Sequence, residues 1–423
     1  MAQKPLVVHC VDDNKMGGVN MALTHLCQSH LSEHFDMRIV YMPMGLHARL
    51  MLDADIICFH GASSWTGLLG VMKLKLKFPR AKLVLQEHHY SQGFVDENVS
   101  ASGRFYQLLK FTYGLMDKVI SIAPSQQRWM LKHKLASKTK IAMLGQGRDL
   151  SQLMPLPETV TSTFIDADLD LLANNFQTNK AYPNPTLMPI KPSAISESFE
   201  VNASNNTVNS NAAQVKLLAY GRFHCQKGFD VLLKAMALIP AELCQLTLIG
   251  EGELQGEFQA LAEELSHVQI LPAVDNIATQ LLACDAVVIP SRWEPFGLVM
   301  QEALSMGKCV IASDVDGLHD QFTDAPCVCV KLLSQQQSRQ QALQQSQQSS
   351  PGLERKPELK KELTKELSPE QVAMQITSFC KAYQSGEIAA KWHNDYSHIN
   401  LQKWRHQQWQ NVVDNWHRLL SEL

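Results

Sequence analysis

The sequence lacks the signatures of several large functional classes. It contains no G-x-x-x-x-G-K-[ST] loop and no G-x-G-x-x-G turn, so neither a P-loop nor a dinucleotide fingerprint is supported. Its ten cysteines form no C-x-x-C pair, and Cys327-Val-Cys329 is too isolated for a metal claim. Buried, reduced thiols are expected instead. No run approaches the roughly 18 apolar residues of a spanning helix, and Pro5-Leu-Val-Val is too short for a signal peptide. A net charge of −3 gives no case for nucleic acid. These absences point to a soluble, cytoplasmic protein, attached to a membrane surface at most.

What is present is globular: 423 residues, 45% hydrophobic and 19% charged, enough for two domains with extra segments. Charge is uneven along the chain. Residues 1–150 hold 18 Lys and Arg against 11 Asp and Glu, a net of +7, and the remainder is net −10. Short apolar runs at 4–12, 37–41, 55–59, 82–85, 118–122 and 141–144 alternate with helical spacing. The same alternation restarts at Val215 and yields five further strands, the last at 308–313. Buried strands alternating with helices predict two parallel, doubly wound sheets, an α/β fold. Domains are expected at 1–155 and 215–400. A Thr-, Ser-, Asn- and Pro-rich linker lies between them at 156–214, with one short helix near 163–174. A Gln/Ser- then Lys/Glu-rich insert occupies 334–370. The tail, 401–423, reads as a helix whose Trp404, Trp409 and Trp416 must dock somewhere.

Two basic segments in the first half stand out. Leu68–Phe78 mixes Leu and Met with Lys73, Lys75 and Lys77. Gln127–Lys140 carries Arg128, Trp129, Lys132, Lys134, Lys138 and Lys140. Basic amphipathic segments with Trp or Leu can lie in a membrane interface, and they can equally be core helices with a solvated face.

The residues that carry chemistry cluster after predicted strands. Arg222 and Lys227 follow the strand at 215–220, with Gly221 and Gly228 beside them. Two cations at the carboxyl end of a sheet strand can hold a diphosphate. Pro290-Ser-Arg-Trp-Glu294-Pro-Phe-Gly297 runs from a strand into a helix, with Glu302 eight residues after Glu294. A helix N-terminus suits an anion, and two carboxylates there suit hydroxyl groups. The turn at Met16-Gly17-Gly18 lets backbone amides approach a phosphate. Glu87-His88-His89 ends a strand, and the adjacent histidines point to opposite sides of an extended chain, which argues against a shared metal. His30-x-x-Glu33-His34 falls at a helix end without a third ligand, so no metal site is expected.

Taken together, Gly221-Arg-Phe-x3-Lys-Gly228, Glu294-Pro-Phe-Gly-Leu-x3-Glu302-Ala-Leu-x2-Gly307 and Val310-Ile-Ala-Ser-Asp314 resemble the signature set of glycosyltransferase family 4. Ser121-Ile-Ala-Pro-Ser and Gly147-Arg-Asp149 add to the resemblance, which covers about 1–155 and 215–325 plus the terminal helix. It implies a GT-B fold and a retaining transfer from a nucleoside-diphosphate sugar, without cofactor or metal, to a glycan or polyprenyl-linked acceptor. Surface-polysaccharide assembly is the implied setting. It further implies that Arg222 and Lys227 grip the donor diphosphate, that Glu294 holds the sugar beside the amides of Phe296, Gly297 and Leu298, and that Glu302 takes the ribose. Gly17 and Gly18 would approach the phosphates. His88, or its neighbour His89, would line the donor sugar. The family's Gly-Gly-x-x-E loop is replaced here by Asp316-Gly317-Leu-His-Asp320. That departure and the two long inserts keep open a silent nucleotide-sugar-binding subunit. A GT-B epimerase or phosphorylase is a second alternative, against which the Glu294/Glu302 pair with Arg222 and Lys227 favours transfer.

Overall fold

The computed structural model describes residues 4–12, 17–42, 53–152, 213–333 and 367–423. The linker expected at 156–214, with its short helix, and the insert at 334–370 lie outside the described residues except at their edges.

The first half contains β1 (Leu6–Val11), α1 (Gly18–Gln28), β2 (Asp36–Tyr41), β3 (Ile56–Phe59), α2 (Trp65–Lys77), β4 (Lys82–Gln86), α3 (Gln92–Asn98), α4 (Ser102–Leu115), β5 (Lys118–Ser121), α5 (Pro124–Lys132) and β6 (Ile141–Met143). Its six strands are all parallel, in the order β2-β1-β3-β4-β5-β6. β3 and β4 lie inside this sheet and read as unbroken apolar runs because both faces are covered. β2, at the edge, exposes Arg38 and Tyr41.

The second half contains β7 (Val215–Tyr220), α6 (Phe229–Met236), β8 (Cys244–Ile249), α7 (Gln255–Ala262), β9 (Val268–Leu271), α8 (Ala278–Ala283), β10 (Ala286–Ile289), α9 (Leu298–Ser305), β11 (Cys309–Ser313), α10 (Asp316–Gln321) and β12 (Cys329–Leu332). The order β12-β11-β10-β7-β8-β9 is again wholly parallel. Chain direction across each sheet reverses at one place, between β1 and β3 in the first and between β7 and β10 in the second. Ligands enter open α/β sheets outside the carboxyl ends of the strands at such points. One strand exceeds the five expected from sequence. β12 is a four-residue edge strand, Cys-Val-Lys-Leu, too short and mixed to announce itself.

Three helices close the chain: α11 (Pro369–Gln384), α12 (Glu387–Tyr396) and α13 (Leu401–Ser421). α13 begins on the second domain, where the Trp404 indole N–H donates to Asp324 O at 3.2 Å. It ends on the first, burying Val412, Val413, Trp416, Leu419 and Leu420 among Val7, Leu23, Leu26 and Ile120. Burial of Trp416 to 1% exposure explains why so aromatic a helix needs no other cover.

Gln127–Lys140 is not one amphipathic helix. α5 stops at Lys132, Lys134 takes a positive φ of 51°, and Trp129 is buried in the first-domain core. Its ring therefore faces no membrane.

Helix α10 joins the domains by its two carboxylates. Asp316 accepts from Ser91 Oγ at 2.7 Å and from the Gly93 amide at 3.0 Å, at the start of α3. Asp320 accepts from the Ser125 amide at 2.6 Å, at the start of α5, and pairs with Arg128 at 2.8 Å. Each carboxylate thus meets the positive end of a first-domain helix. Hydrogen bonds to charged groups contribute about 1.5–3 kcal/mol each. The double variant D316A/D320A is therefore expected to open the cleft, read as a larger radius of gyration by small-angle X-ray scattering with unchanged secondary structure. An unchanged scattering profile would show that α13 alone sets the domain spacing.

Candidate functional site

Site residues from both halves gather at the two reversal points. After β7 the chain passes Gly221 and Arg222 into a 3-10 turn, Cys225–Lys227, which ends at Gly228, the N-cap of α6. After β10 it passes Pro290 to Gly297, the N-cap of α9. Arg292 ties the two loops together. It grips Asp230 with both guanidinium nitrogens at 2.8 Å, donates to Cys225 O at 2.7 Å, and donates its amide to Gln226 O at 2.8 Å. A planar fork held on both prongs fixes the loop spacing more firmly than a lysine would.

That spacing brings Lys227 Nζ to 2.5 Å from Glu294 Oε2, with Ser291 Oγ donating to the same oxygen at 3.4 Å. The expected diphosphate cation and the expected sugar-holding carboxylate are thus direct partners. Arg222 is exposed and has no side-chain partner among the described residues.

Three helices begin here on glycine: α1 at Gly17, α6 at Gly228 and α9 at Gly297. None receives a side-chain capping bond. Their first amides are the unpaired donors of a helix start, with the dipole positive. α1 and α9 come from opposite domains and meet. A Cβ added at Gly18 would lie 2.6 Å from Leu298 Cδ1, so any side chain there would have to displace the tip of that leucine. Gly297 adopts φ 98°, closed to most L side chains. Phe296 and Leu298 flank it, each half-buried.

Glu302 is nearly buried, and both its oxygens are engaged. Oε1 accepts from Arg148 at 2.9 Å, and Oε2 accepts from the Tyr220 hydroxyl at 2.8 Å. Burial raises its pKa, and Arg148, Tyr220 and Lys227 oppose that rise. Asp316 also reaches this loop, accepting from the Glu294 amide at 3.3 Å. Burial raises the Asp316 pKa against the pull of its hydrogen bonds.

His88 lies beneath the first-domain side of the site. Its Nε2 is 3.0 Å from His60 Nδ1, and its Nδ1 is 3.2 Å from Gln146 Oε1. His60 Nε2 in turn lies 2.9 Å from His9 Nδ1. His89 is exposed, its Nε2 3.3 Å from His60 O. Glu87 is fully enclosed, bonded to the Tyr113 hydroxyl and to the amides of His89 and Tyr90, and serves the fold. Burial lowers the His9 pKa to about 4 and that of His88 to about 3, and holds His60 well below its ordinary value. His30-x-x-Glu33-His34 forms a 3-10 turn at the end of α1, away from these loops.

The structure therefore brings Gly17, Gly18, Arg222, Lys227, Glu294, Phe296, Gly297, Leu298 and Glu302 to one cleft, with His88 on the first-domain side. Sequence reasoning missed Arg148, Tyr220, Asp316, His60 and His9. Arg148 had a signal, since it is the middle residue of the noted Gly147-Arg-Asp149. His60 follows a buried strand directly, a position that favours site residues. Nothing local marks His9, whose partner lies 51 positions away.

Residues 202–346 match the family described as Glycosyl transferases group 1. Glycogen synthase 2 of Bradyrhizobium diazoefficiens is 39% identical over 108 residues, 24% of this chain and 22% of that protein. Uncharacterized glycosyltransferase YqgM of Bacillus subtilis is 31% identical over 168 residues, 38% of this chain and 43% of that protein. The chain thus spans less than half the length of these curated relatives. Anabaena Alr3699/HepE in complex with UDP-glucose superposes with a TM-score of 0.60 at 16% identity, covering 99% of this chain and 100% of that one. The likeness establishes the fold as GT-B, two Rossmann-like domains facing a cleft.

The buried imidazoles give a pH dependence. A histidine whose folded pKa is depressed contributes stability that is full above its unfolded pKa of about 6.5 and is lost as pH falls toward the folded value. Between pH 6.5 and about 4, the His9 value, stability should fall by up to about 1.4 kcal/mol per pH unit for each ring that remains neutral. Urea midpoints at pH 7.5, 6, 5 and 4.5 check this, and a flat profile would contradict neutral burial of these rings.

Proposed function

We propose that this chain, whose second domain carries the glycosyl transferases group 1 match, is a retaining glycosyltransferase of family 4. It moves a sugar from a nucleoside-diphosphate sugar to a glycan or lipid-linked acceptor. The observation that carries this reading is the Lys227–Glu294 pair at 2.5 Å, set among three uncapped helix starts with Arg222 exposed beside it. Such a cleft offers fixed positive charge for a diphosphate and a carboxylate for sugar hydroxyls. A UDP-sugar is the first donor to try, since HepE is solved with UDP-glucose.

In this reading the diphosphate lies between Lys227, Arg222 and the starts of α6 and α9. Glu294 turns to the sugar hydroxyls as Lys227 turns to phosphate. Glu302 accepts from the ribose, its charge sustained by Arg148 and Tyr220. The bond between the anomeric carbon and the β-phosphate oxygen breaks, and negative charge grows on that phosphate. Lys227, Arg222 and the helix amides stabilise it, the role a metal plays elsewhere. The acceptor hydroxyl attacks from the face the leaving group occupied and passes its proton to the departing phosphate oxygen, so the configuration is retained. His88, held neutral, contributes shape and hydrogen bonding and not acid catalysis. Closure through α10 excludes the water that would hydrolyse the donor.

A lipid-linked acceptor, and assembly of a surface polysaccharide at the cytoplasmic face of a membrane, fit one further feature. Trp65, Leu69, Met72 and Leu76 repeat at helical spacing along α2 and are all exposed, Leu76 at 83%. Phe111 is exposed on α4, which packs beside α2, and Lys73, Lys77 and Lys110 are exposed nearby. An apolar stripe with basic flanks suits an anionic bilayer surface.

Release of UDP from UDP-glucose, measured with and without a pool of membrane glycolipids, tests the activity. K227A and E294A should each lower turnover by at least about 10²-fold with the fold intact. Near wild-type turnover in either variant would overturn the site assignment. Donor binding without turnover would favour a silent binding subunit. For the membrane contact, L69S/L76S should lose most co-sedimentation with vesicles of mixed neutral and anionic lipid. Equal retention of variant and wild type would refute it.

A further inference from the structure

Three adjacent strands of the first sheet, in the order β1-β3-β4, each carry a histidine within the last half of the strand or just beyond its carboxyl end. His9 lies in β1, His60 follows β3 and His88 follows β4. Their rings form a continuous hydrogen-bonded row. Ring centroids are 5.1 Å apart between His9 and His60 and 5.2 Å between His60 and His88, with interplanar angles of 33° and 35°. The nitrogen contacts are 2.9 and 3.0 Å.

A neutral imidazole has one N–H and one lone pair, so the direction of any one bond in such a row fixes all the others. Gln146 Oε1, at 3.2 Å from His88 Nδ1, accepts in this orientation and places the His88 proton on Nδ1, but a glutamine amide can turn to present its NH2 instead, so this bond alone does not lock the tautomer. His88 Nε2 must then accept from His60 Nδ1–H, and His60 Nε2 must accept from His9 Nδ1–H. The row ends at His9 Nε2, which is buried, has no hydrogen-bond partner among the described residues, and belongs to a ring whose centroid is 5.6 Å from that of Trp416. In this direction the unpartnered atom is a lone pair. In the reverse direction it would be a buried N–H, the rarer and costlier defect. Both ends of the row therefore select the same protonation pattern.

We propose that His9 and His60 are positioning residues that hold His88 in its Nδ1–H tautomer, with its ring orientation fixed, at the first-domain wall of the cleft. Neither touches the cleft contents in this role; both act through His88. The row also links His88 to the crossover helix, because Trp416 of α13 covers its far end. His9 and His60 are buried and His88 is half-buried, and burial lowers the pKa of each, in keeping with rings that stay uncharged. The catalytic consequence rests on the transferase reading above, whereas the tautomer itself does not.

The test is ring ¹⁵N NMR of histidine-labelled full-length protein at pH 7, which separates Nδ1–H from Nε2–H forms without any donor. Wild type should show His88 as a single Nδ1–H tautomer. H60F removes both nitrogens of the middle ring and should leave His88 as a tautomer mixture. H9F should do so in part, and H9N, whose amide can donate where Nδ1–H did, should restore the single form. A wild-type Nε2–H tautomer at His88, or a His88 signal unchanged in both H60F and H9F, would overturn the proposal. Where H60F fails to fold, the H9F and H9N pair decides. With UDP-glucose and membrane glycolipids, H60F should lower kcat by about 10- to 100-fold with KM for the donor little changed. Loss of activity with the His88 tautomer intact would count against positioning, while a released tautomer with full activity would leave the row in place and remove His88 from the reaction.

Discussion

One carboxylate bonds to both walls of the cleft. Asp316 accepts hydrogen bonds from Ser91 and Gly93 in the first domain and from the Glu294 amide in the second. It joins the domains at the loop that carries the candidate sugar-holding residue. Its backbone has φ 41°, in the left-handed region where glycine is usual. An L side chain there costs about 1–2 kcal/mol. A glycine would relieve that strain and lose three acceptor bonds. The departure from a Gly-Gly loop therefore has a structural purpose: this chain exchanges backbone comfort for a link between domains. Such strain persists where the surroundings hold it in place, often at functional sites.

The cleft that Asp316 helps close is organised by paired charges. Lys227 with Glu294, and Arg148 with Glu302, are each nearly buried and in direct contact. An isolated carboxylate in such places would be driven toward protonation, as the upward push of burial on Glu302 shows. Arg148, Tyr220 and Lys227 oppose that push at Glu302. Arg148 is supplied by the first domain and Glu302 by the second, so their pairing depends on closure. The tie from Arg292 to Asp230 and Cys225 O sets the distance between the two loops before any ligand enters.

Much of the fold was legible because parallel sheets covered on both faces leave continuous apolar runs. Val7–Val11, Ile56–Phe59 and Ala286–Ile289 are buried throughout. The short edge strand β12 escaped notice, since an edge strand needs no such run. The stretch Gln127–Lys140 stayed open between two readings because a basic, Trp-bearing segment has the composition of an interfacial helix and of a core helix with a solvated face alike. Burial of Trp129 and the turn at Lys134 are set by packing, which composition does not record. Half of the candidate site was visible for a local reason: glycines, cations and carboxylates crowd the loops after β7 and β10, where a helix start follows a strand within a few residues.

The sequence by itself determined the alternation of strands and helices, the loop from Pro290 to Glu302, and the cations at Arg222 and Lys227. These features depend on neighbours close in the chain. The tertiary structure alone decided which charges meet. Glu302 finds Arg148 and Tyr220, Asp316 finds Ser91, and His88 finds His60 and His9, across separations of 28 to 225 positions. Periodicity and turn chemistry act over a few residues, whereas these bonds need distant strands set side by side in one sheet or, for Asp316 and Ser91, two domains brought face to face. The tail helix shows both parts: its three tryptophans announced that it must dock, and only the packing of Trp416 against the first domain showed where.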